Sequence, residues 1–435
     1  MIRSADKTHP QDAIETWPKR DYTLSIEICI GGYAGASIEL VSDGGQENKK
    51  ELTMNFQLND EEIRFQQSMR EFALTELLPG AMQRDLDENY EETYDILMKK
   101  AAPKGLLGLT FPAEYGGLGK SYIYFVLAMI EFCRIEVSFG AAWSVCMSLG
   151  TVPIWKFGSE EQKQKYLVPL AKGEKISAFA LTEPNAGSDS AMQESTAVAD
   201  GDAYILNGRK IYITNAGFAD TYIVFAMTDK TKGTRGISAF IVEKGTPGFS
   251  FGKVYKKMGI HATVQRELIF ENARIPRENL IGKEGEGFKI AMTALDVGRL
   301  GVAAQGTGAA MGAYDIALKS AKERVQFGQP VSANQGVSFM LADMATQIEL
   351  AQLIVLKAAW MYSEGLPFSK EVAMAKTVAT DTAMETAVNA VQILGGKGFL
   401  QENAVERFMR DAKILQIYEG TNQIQRVVIA SHILK

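Results

Sequence analysis

Apolar residues recur at helical spacing near both ends of the chain, with β-type runs between them. Phe65, Met69, Phe72 and Leu74 mark an apolar stripe, and the first three are three or four residues apart, as on one face of a helix. After residue 287 this spacing returns, and it is clearest at Leu341, Met344, Ile348, Ala351 and Val355. Helical ends around a strand-rich middle indicate an α+β fold rather than an alternating βαβ sheet.

Local signals predict where these elements begin and turn. Asn59 before three acidic residues predicts a helix start, because its side chain can cap free N–H groups and the acids suit the positive helix end. Residues 122–132 predict an apolar helix. In the middle, residues 204–206 and 211–213 flank Asn207-Gly208, which predicts a β-hairpin turn. Residues 222–225 and 237–242 predict further strands.

Composition changes along the chain predict an extension and three domains. Residues 1–53 carry scattered charges and no helical period, with one short strand predicted at 26–30. We interpret them as a loosely ordered extension, or as an upstream start before a core beginning near Met54; a docking arm is the alternative. The predicted domains are a helical domain at 54–175, a β-domain at 176–286 and a helical domain at 287–435.

Charge and residue counts narrow the class of protein. The 435 residues are 46% apolar and 23% charged, which is typical of a globular protein. A net charge of −6 argues against nucleic acid as the main partner. Three separated cysteines and three separated histidines predict neither a disulfide framework nor a metal site. Residues 137–155 lack charge but contain Ser, Gly and Pro, which favours a buried helix over a membrane span.

Six sequence strings carry the candidate chemistry. In chain order they are FALTEPNAGSD (179–189), NGRKIYITN (207–215), LDVGR (295–299), RVQFG (324–328), QILGG (392–396) and IYEGTNQIQR (417–426). Together they resemble the acyl-CoA dehydrogenase flavoprotein family, in particular its short-chain, butyryl-CoA branch. The resemblance covers residues 55–435 and leaves out the extension.

The resemblance implies an overall organisation and a set of partners. We expect an N-terminal helical domain, a central β-domain and a C-terminal four-helix bundle, assembled as a homotetramer with one FAD per subunit. The substrate would be an acyl-CoA and the electron acceptor an electron-transfer flavoprotein. The chain has no GxGxxG after a predicted strand, which argues against direct use of NAD. A bacterial cytoplasm is favoured over a mitochondrial matrix, because the first residues do not read as a transit peptide.

The resemblance assigns the catalytic base to Glu419. Such chemistry needs a carboxylate that takes the α-proton of an acyl thioester while hydride leaves the β-carbon. Some family branches place the base just before the arginine of the LDVGR string, and Gly298 at that position cannot act. The Glu419 backbone N–H would help to bind the thioester oxygen. The alternative reading of Glu419 is a loop acid beside a Gly-Thr turn.

The resemblance also assigns cofactor and substrate contacts. The predicted FAD-binding residues are Phe179, Leu181, Thr182, Tyr212, Thr214, Arg324, Phe327, Gln335, Gln392, Gly395, Gly396, Thr421 and Gln423. The predicted substrate-binding residues are Ser188, Asp296, Arg299, Tyr418 and Gly420. Ala141, Trp143, Met147 and Leu149 are expected near the acyl pocket. Structural alternatives remain: turn capping by Thr182 and Ser188, core packing by Tyr212, and a surface ion pair between Asp296 and Arg299.

Three other functions fit the same sequence. The reaction could run in reverse, as an enoyl-CoA reductase that includes aryl-acryloyl-CoA among its substrates. The protein could be an acyl-CoA oxidase, although it lacks the long additional C-terminal domain of the larger oxidases. A non-catalytic FAD-binding scaffold is the alternative from another class, and the presence of Glu419 with the flavin-contacting residues argues against it.

Overall fold

The computed structural model describes residues 57–434, so the extension at 1–53 and its predicted strand at 26–30 lie outside the described residues. A folded unit begins at Asp60, where helix α1 starts directly after the predicted cap. The N-terminal helices are α1 (Asp60–Phe72), α2 (Ala81–Leu86), α3 (Tyr90–Ile96), α4 (Tyr122–Cys133), α5 (Val137–Met147), α6 (Val152–Phe157), α7 (Glu160–Gln162) and α8 (Val168–Ala171).

The apolar segment at 137–155 is buried as predicted, but it forms two helices rather than one. Every residue of α5 is buried, and residues 148–151 separate it from α6. The break lets strand β1 approach closely: a Cβ on Gly150 would lie 2.2 Å from Ser177 Oγ. A larger residue at 150 would therefore collide with the first strand of the sheet.

An eight-stranded sheet follows. Its strands are β1 (Ser177–Ala180), β2 (Thr196–Asp200), β3 (Ala203–Thr214), β4 (Thr221–Met227), β5 (Ile237–Glu243), β6 (Phe249–Val254), β7 (Gln265–Pro276) and β8 (Leu280–Ile281). The order is β6-β7-β3-β2-β4-β5-β8, with β1 parallel to β4. The strands predicted at 222–225 and 237–242 are confirmed as β4 and β5.

The hairpin predicted at Asn207-Gly208 is wrong, because β3 continues through both residues. The pairing of β3 with β7 shifts register between Leu206 and Gly208, which marks a bulge instead of a turn. A Cβ on Gly208 would lie 2.1 Å from Ser195 Oγ. Glycine is needed here so that the chain entering β2 can approach the bulge, and turn formation is not its role.

The C-terminal part is helical again. Its helices are α9 (Gly287–Glu323), α10 (Gln335–Ser363), α11 (Ser369–Leu394), α12 (Val405–Leu415) and α13 (Asn422–Ile433), and β9 (Val325–Gln326) pairs with β10 (Gln329–Pro330) before α10. The five apolar residues predicted to share one face of α10 are all buried, which confirms that prediction. The α+β architecture is therefore as expected.

Two helical stretches among residues 57–434 are long and apolar enough to cross a membrane. In the first, Val137–Phe157, the most apolar window is entirely buried inside the protein. In the second, Gln335–Ser363, only 28% of the most apolar window is buried. On this helix, Phe339 is 59% exposed and Leu350 is 50% exposed. Helix α10 therefore leaves an apolar face uncovered within one chain.

Candidate active site

A cavity of about 210 Å³ lies between the sheet and the C-terminal helices. The loop after β1, the bulged end of β3, helices α5 and α9, and the turn before α13 supply its walls. The predicted site residues that line it are Phe179, Leu181, Thr182, Ser188, Tyr212, Thr214, Arg299, Tyr418, Glu419 and Gly420. Segments more than 200 residues apart in the sequence thus meet at one cavity.

Glu419 lies in a turn between α12 and α13. Its backbone has φ of 55°, and the next residue, Gly420, has φ of 94°. A left-handed conformation at a residue other than glycine is uncommon and costs energy, so surrounding contacts must hold it. Among residues 57–434, no acceptor is bound by the backbone N–H of Glu419 or of Gly420. Two N–H donors are therefore available at the cavity wall.

The Glu419 carboxylate lies against helix α9. A Cβ on Gly298 would be 2.1 Å from Glu419 Oε2, so the carboxylate fills the space of a side chain at 298. Oε2 is buried and has no hydrogen-bond partner among the described residues. Burial raises the pKa of Glu419 to about 8, although the positive charges of Arg299 and Lys376 oppose the increase.

Three side chains hold the carbonyl groups of this turn. Arg299 Nε donates to the Glu419 carbonyl at 3.1 Å, and Gln425 Nε2 donates to the same oxygen at 3.2 Å. Gln425 Nε2 also lies 3.0 Å from the Gly420 carbonyl, and Lys376 Nζ donates to that oxygen at 3.0 Å. All three side chains are buried. These contacts fix the left-handed turn that carries the carboxylate.

Lys376 and Gln425 were missed by the sequence analysis. A signal for Lys376 existed, because it is a charged residue within an apolar helical stretch and falls on the face shared by Val372 and Ala379. A lysine at such a position needs a polar partner inside the protein. No comparable signal marks Gln425, whose role depends on the shape of the turn before α13.

The loop of residues 181–195, which we call the flavin-side loop because the resemblance predicts the flavin beside it, is held by a buried ion pair that was also not predicted. Lys210 Nζ lies 2.6 Å from Glu183 Oε1, and both side chains are almost completely buried. Lys210 also donates to the Leu181 carbonyl at 3.2 Å, while Glu183 accepts from the Glu194 and Ser195 N–H groups. The pair therefore ties strand β3 to both ends of the loop that carries Thr182 and Ser188.

The end of β3 turns Tyr212 outwards. A second register shift against β7 occurs between Lys210 and Ile213, and Tyr212 has φ of 60°. Its side chain is 60% exposed and its ring centroid lies 4.8 Å from that of Tyr255. Core packing of Tyr212 is therefore excluded. Thr214 faces the same cavity and accepts a hydrogen bond from Gln265 at 3.3 Å.

The remaining predicted contacts do not line this cavity. They are Asp296, Arg324, Phe327, Gln335, Gln392, Gly395, Gly396, Thr421 and Gln423. Asp296 pairs with Arg299 at 2.7 Å and accepts from Ser369. The Thr421 hydroxyl caps α13 by accepting from Ile424 N–H at 3.3 Å. Of the residues expected near the acyl group, Ala141 and Leu149 line the cavity, whereas Trp143 and Met147 do not.

Several of these residues form a second, exposed group. Arg324 Nη1 donates to the Leu394 carbonyl at 2.9 Å, which brings it to Gly395 at the end of α11. Phe327, at the tip of the β9–β10 turn, is 99% exposed. Gln335 and Gln392 are exposed as well. The Phe327 ring is therefore free to contact another molecule.

The donors present fit FAD. Hydroxyl groups at Thr182 and Thr214 suit the polar edge of a flavin ring, and the exposed ring of Tyr212 lies at the same rim. The forked guanidinium of Arg324 suits a diphosphate. A Cβ on Gly396 would meet no atom within 4 Å, so the surface beside Arg324 is open to a ligand. Among residues 57–434, no group of three or more His, Cys, Asp or Glu residues could hold a metal ion.

Comparison with known proteins identifies the class. Family models match in three consecutive parts: "Acyl-CoA dehydrogenase, N-terminal domain" at residues 59–174, "middle domain" at 178–273 and "C-terminal domain" at 285–434. With the cavity and its donors, these matches define an FAD-dependent oxidoreductase. The chain belongs to the acyl-CoA dehydrogenase family.

Named relatives cover nearly the whole described chain. "Acyl-CoA dehydrogenase, short-chain specific" of Clostridium acetobutylicum is 49% identical over 88% of this chain and 100% of its own. "Acryloyl-CoA reductase (NADH)" of Anaerotignum propionicum is 44% identical over 88% of this chain and 96% of its own.

Solved structures agree with the fold. Butyryl-CoA dehydrogenase from Megasphaera elsdenii is 47% identical, with a TM-score of 0.85 over 88% of this chain and 100% of its own. A chain from the structure described as "Electron transferring flavoprotein of Acidaminococcus fermentans: Towards a mechanism of flavin-based electron bifurcation" is 50% identical, with a TM-score of 0.86 over 88% and 100% of the two chains. The resemblance drawn from the six strings is confirmed.

Proposed function

We propose that this protein oxidises a short-chain acyl-CoA to the trans-2-enoyl-CoA, with Glu419 as the catalytic base. The observation that carries the proposal is the Glu419 carboxylate, which faces the cavity with Oε2 buried and without a partner. A carboxylate in this environment is a stronger base than one in water, because burial has already removed its stabilising solvent.

The groups around the cavity have separate roles in the proposed reaction. Glu419 takes the α-proton of the acyl thioester, and the pair of electrons left on the α-carbon forms the new double bond as hydride leaves the β-carbon. When FAD is bound, its ring supplies the acceptor for that hydride. The Glu419 N–H would donate to the thioester oxygen and stabilise the charge that develops there.

Substrate contacts follow from the lining. Ser188, Arg299, Tyr418 and Gly420 would contact the thioester and the CoA arm, and Asp296 would act by orienting Arg299. The apolar end of the cavity, near Val145 and Leu149, would receive the acyl chain. The named short-chain relatives support a short acyl group.

The FAD site is proposed to be shared between subunits. Thr182, Tyr212 and Thr214 would contact the ring, with Phe179, Leu181, Thr421 and Gln423 nearby. The exposed group around Arg324 would hold the diphosphate and adenosine of FAD, and Phe327 would reach a neighbouring copy. We propose that a homotetramer covers this group and the apolar face of α10, in place of a membrane.

The partner and location are proposed from the relatives. The Acidaminococcus match supports electron transfer to an electron-transfer flavoprotein. Bacterial relatives support the cytoplasm of a bacterium. We propose the domain boundaries of 54–175, 176–286 and 287–435.

The reverse reaction is the second candidate function. The relative named an acryloyl-CoA reductase, at 44% identity, favours it, because one site geometry serves both directions. In that direction Glu419 would return its proton to the α-carbon while hydride reaches the β-carbon.

An anaerobic visible spectrum tests the proposal. Butyryl-CoA should bleach the bound flavin of the wild-type protein, and Glu419→Gln should keep its flavin but lose the bleaching. Glu385→Gln, which alters an exposed acid on α11, serves as the matched control and should bleach normally. A flavin that stays oxidised with butyryl-CoA but is reoxidised by crotonyl-CoA, once reduced, would favour the reductase. Bleaching by Glu419→Gln at the wild-type rate would contradict the base assignment.

A further inference from the structure

A buried lysine lies directly beneath the turn that carries Glu419. Lys376, on α11, is 0% exposed. Its Nζ lies 3.0 Å from the Gly420 carbonyl and 2.8 Å from Asn422 Oδ1. Both acceptors are neutral, and no carboxylate pairs with Lys376 in the part of the chain that the structure describes. An ammonium group without an anionic partner is costly to bury, so its charge calls for an explanation.

The charges that face Lys376 come from three elements. They belong to Glu419 in the turn, Arg299 on α9 and Asp381 on α11 itself. Burial and the positive charge of Arg299 lower the pKa of Lys376, whereas the negative charges of Glu419 and Asp381 oppose this decrease and favour the ammonium form. In turn, the positive charge of Lys376 opposes the increase in the pKa of Glu419. Each of the two groups thus affects which form the other adopts.

Asn422 fixes where the lysine points. Asn422 Nδ2 donates to Asp381 Oδ1 at 2.7 Å and to Thr380 Oγ1 at 2.9 Å. Because Nδ2 is the donor in both of these bonds, the other end of the amide, Oδ1, is the acceptor that faces Lys376. The ammonium group is held between this oxygen and the Gly420 carbonyl. It therefore joins the start of α13 to the peptide that follows Glu419.

We propose that Lys376 is a positioning residue for the base: it holds the Gly420 carbonyl so that Glu419 faces the cavity, and its positive charge favours the carboxylate form of Glu419. This inference rests on the proposed function, since it concerns the proton that Glu419 removes. Gln425 also binds the Gly420 carbonyl, so loss of Lys376 leaves the turn partly held. The effect of the Lys376 charge on the pKa of Glu419 is not replaced by another residue of α11, because the other positive charge that acts on Glu419, Arg299, lies on α9.

The test compares Lys376→Met and Lys376→Gln with wild type. Methionine keeps the length of the side chain without charge or donors, whereas glutamine keeps a donor without charge. Lys104→Met, at an exposed lysine away from the cavity, is the matched control. The measurement is the anaerobic rate of flavin reduction by butyryl-CoA, followed against substrate concentration and pH.

We expect Lys376→Met to lower the limiting rate by about tenfold or more, with a smaller change in the substrate concentration at half the limiting rate. The acid limb of its pH profile should move to higher pH, because the carboxylate has lost a favourable charge. Lys376→Gln should show the same shift with a smaller loss of rate. Lys104→Met should behave as wild type.

Two results would overturn the inference. One is a slower variant whose pH limb stays at the wild-type position, which would make Lys376 part of the fold alone. The other is failure of both variants to bind FAD, which would also mean that Lys376 contributes to the fold alone. Absence of flavin reduction in wild type would instead contradict the proposed function, so the two failures are distinguishable.

Discussion

The carboxylate of Glu419 occupies the volume that a side chain on Gly298 would need. A Cβ at 298 would lie 2.1 Å from Glu419 Oε2 and 2.8 Å from its carboxyl carbon. Residue 298 must therefore be glycine for the Glu419 carboxylate, which comes from the turn before α13, to lie where it does. The two positions exclude each other, since one cavity wall has room for one carboxylate.

Gly298→Ala should disable the site without unfolding the protein. The added methyl group would push the Glu419 carboxylate away from its present position, and a displacement of about 1 Å can reduce a rate by about 100-fold. The rate of flavin reduction by butyryl-CoA measures this effect, with flavin content as the check on folding. Gly336→Ala on α10, where a Cβ would meet no atom within 4 Å, is the control. A wild-type rate in Gly298→Ala would contradict the placement of Glu419.

Flavin reduction should depend on a group with a pKa near 8. Burial raises the pKa of Glu419 to about 8, so the carboxylate that accepts the proton is lost as the pH falls. Below pH 8, the rate at low substrate concentration should fall about tenfold for each pH unit. Stopped-flow reduction between pH 6 and pH 9.5 tests this. A profile that stays flat down to about pH 5 would mean that the base is solvated in solution.

Loss of Lys210 should destabilise the flavin-side loop. Lys210→Met would leave Glu183 buried and without its cation, which typically costs about 3–5 kcal/mol in the free energy of unfolding. Urea denaturation followed by tryptophan fluorescence measures the change. The double variant Lys210→Met/Glu183→Gln should recover part of the loss, because no charge then remains unpaired. If the double variant is as unstable as the sum of the single ones, the pair is not coupled.

Phe327→Ser should weaken FAD retention and assembly. The Phe327 ring is 99% exposed in one chain, and its burial in an assembly would contribute about 2 kcal/mol, or roughly 30-fold in a binding constant. FAD content after gel filtration and the mass of the assembly by light scattering provide the measurement. Val198→Ser, at an exposed residue of β2, is the control and should keep both. Full FAD retention by Phe327→Ser would contradict a contact at this residue.

The sequence was informative where a local pattern has one physical meaning. The five buried residues of α10 follow the 3.6-residue period, and β4 and β5 are apolar runs bounded by turn signals. The Asn207-Gly208 pair was misleading because glycine serves turns and close approaches equally well. The turn and the close approach are distinguished only by the position of Ser195, which packs directly against Gly208 in the folded protein.

The sequence also predicted part of the candidate site, namely the residues that lie in recognisable strings. Glu419, Thr182 and Tyr212 lie in strings that resemble known motifs, and the structure brings them to one cavity. Lys376 lies outside the six strings. Gln425 lies within the string at 417–426, but its role is visible only in the folded turn. Their contribution depends on the distances from α11 and α13 to the Gly420 carbonyl, and no spacing in the sequence encodes those distances.

By itself, the sequence determined the α+β class and the family, and it made Glu419 the candidate base, because hydrophobic periods and motif strings are local properties of the chain. The tertiary structure decided everything that depends on contact between distant segments. Gly298 and Glu419 are 121 positions apart, yet the position of one sets the space for the other. Burial then sets the pKa of Glu419, and burial exists only once α9, α11 and the turn before α13 have packed together.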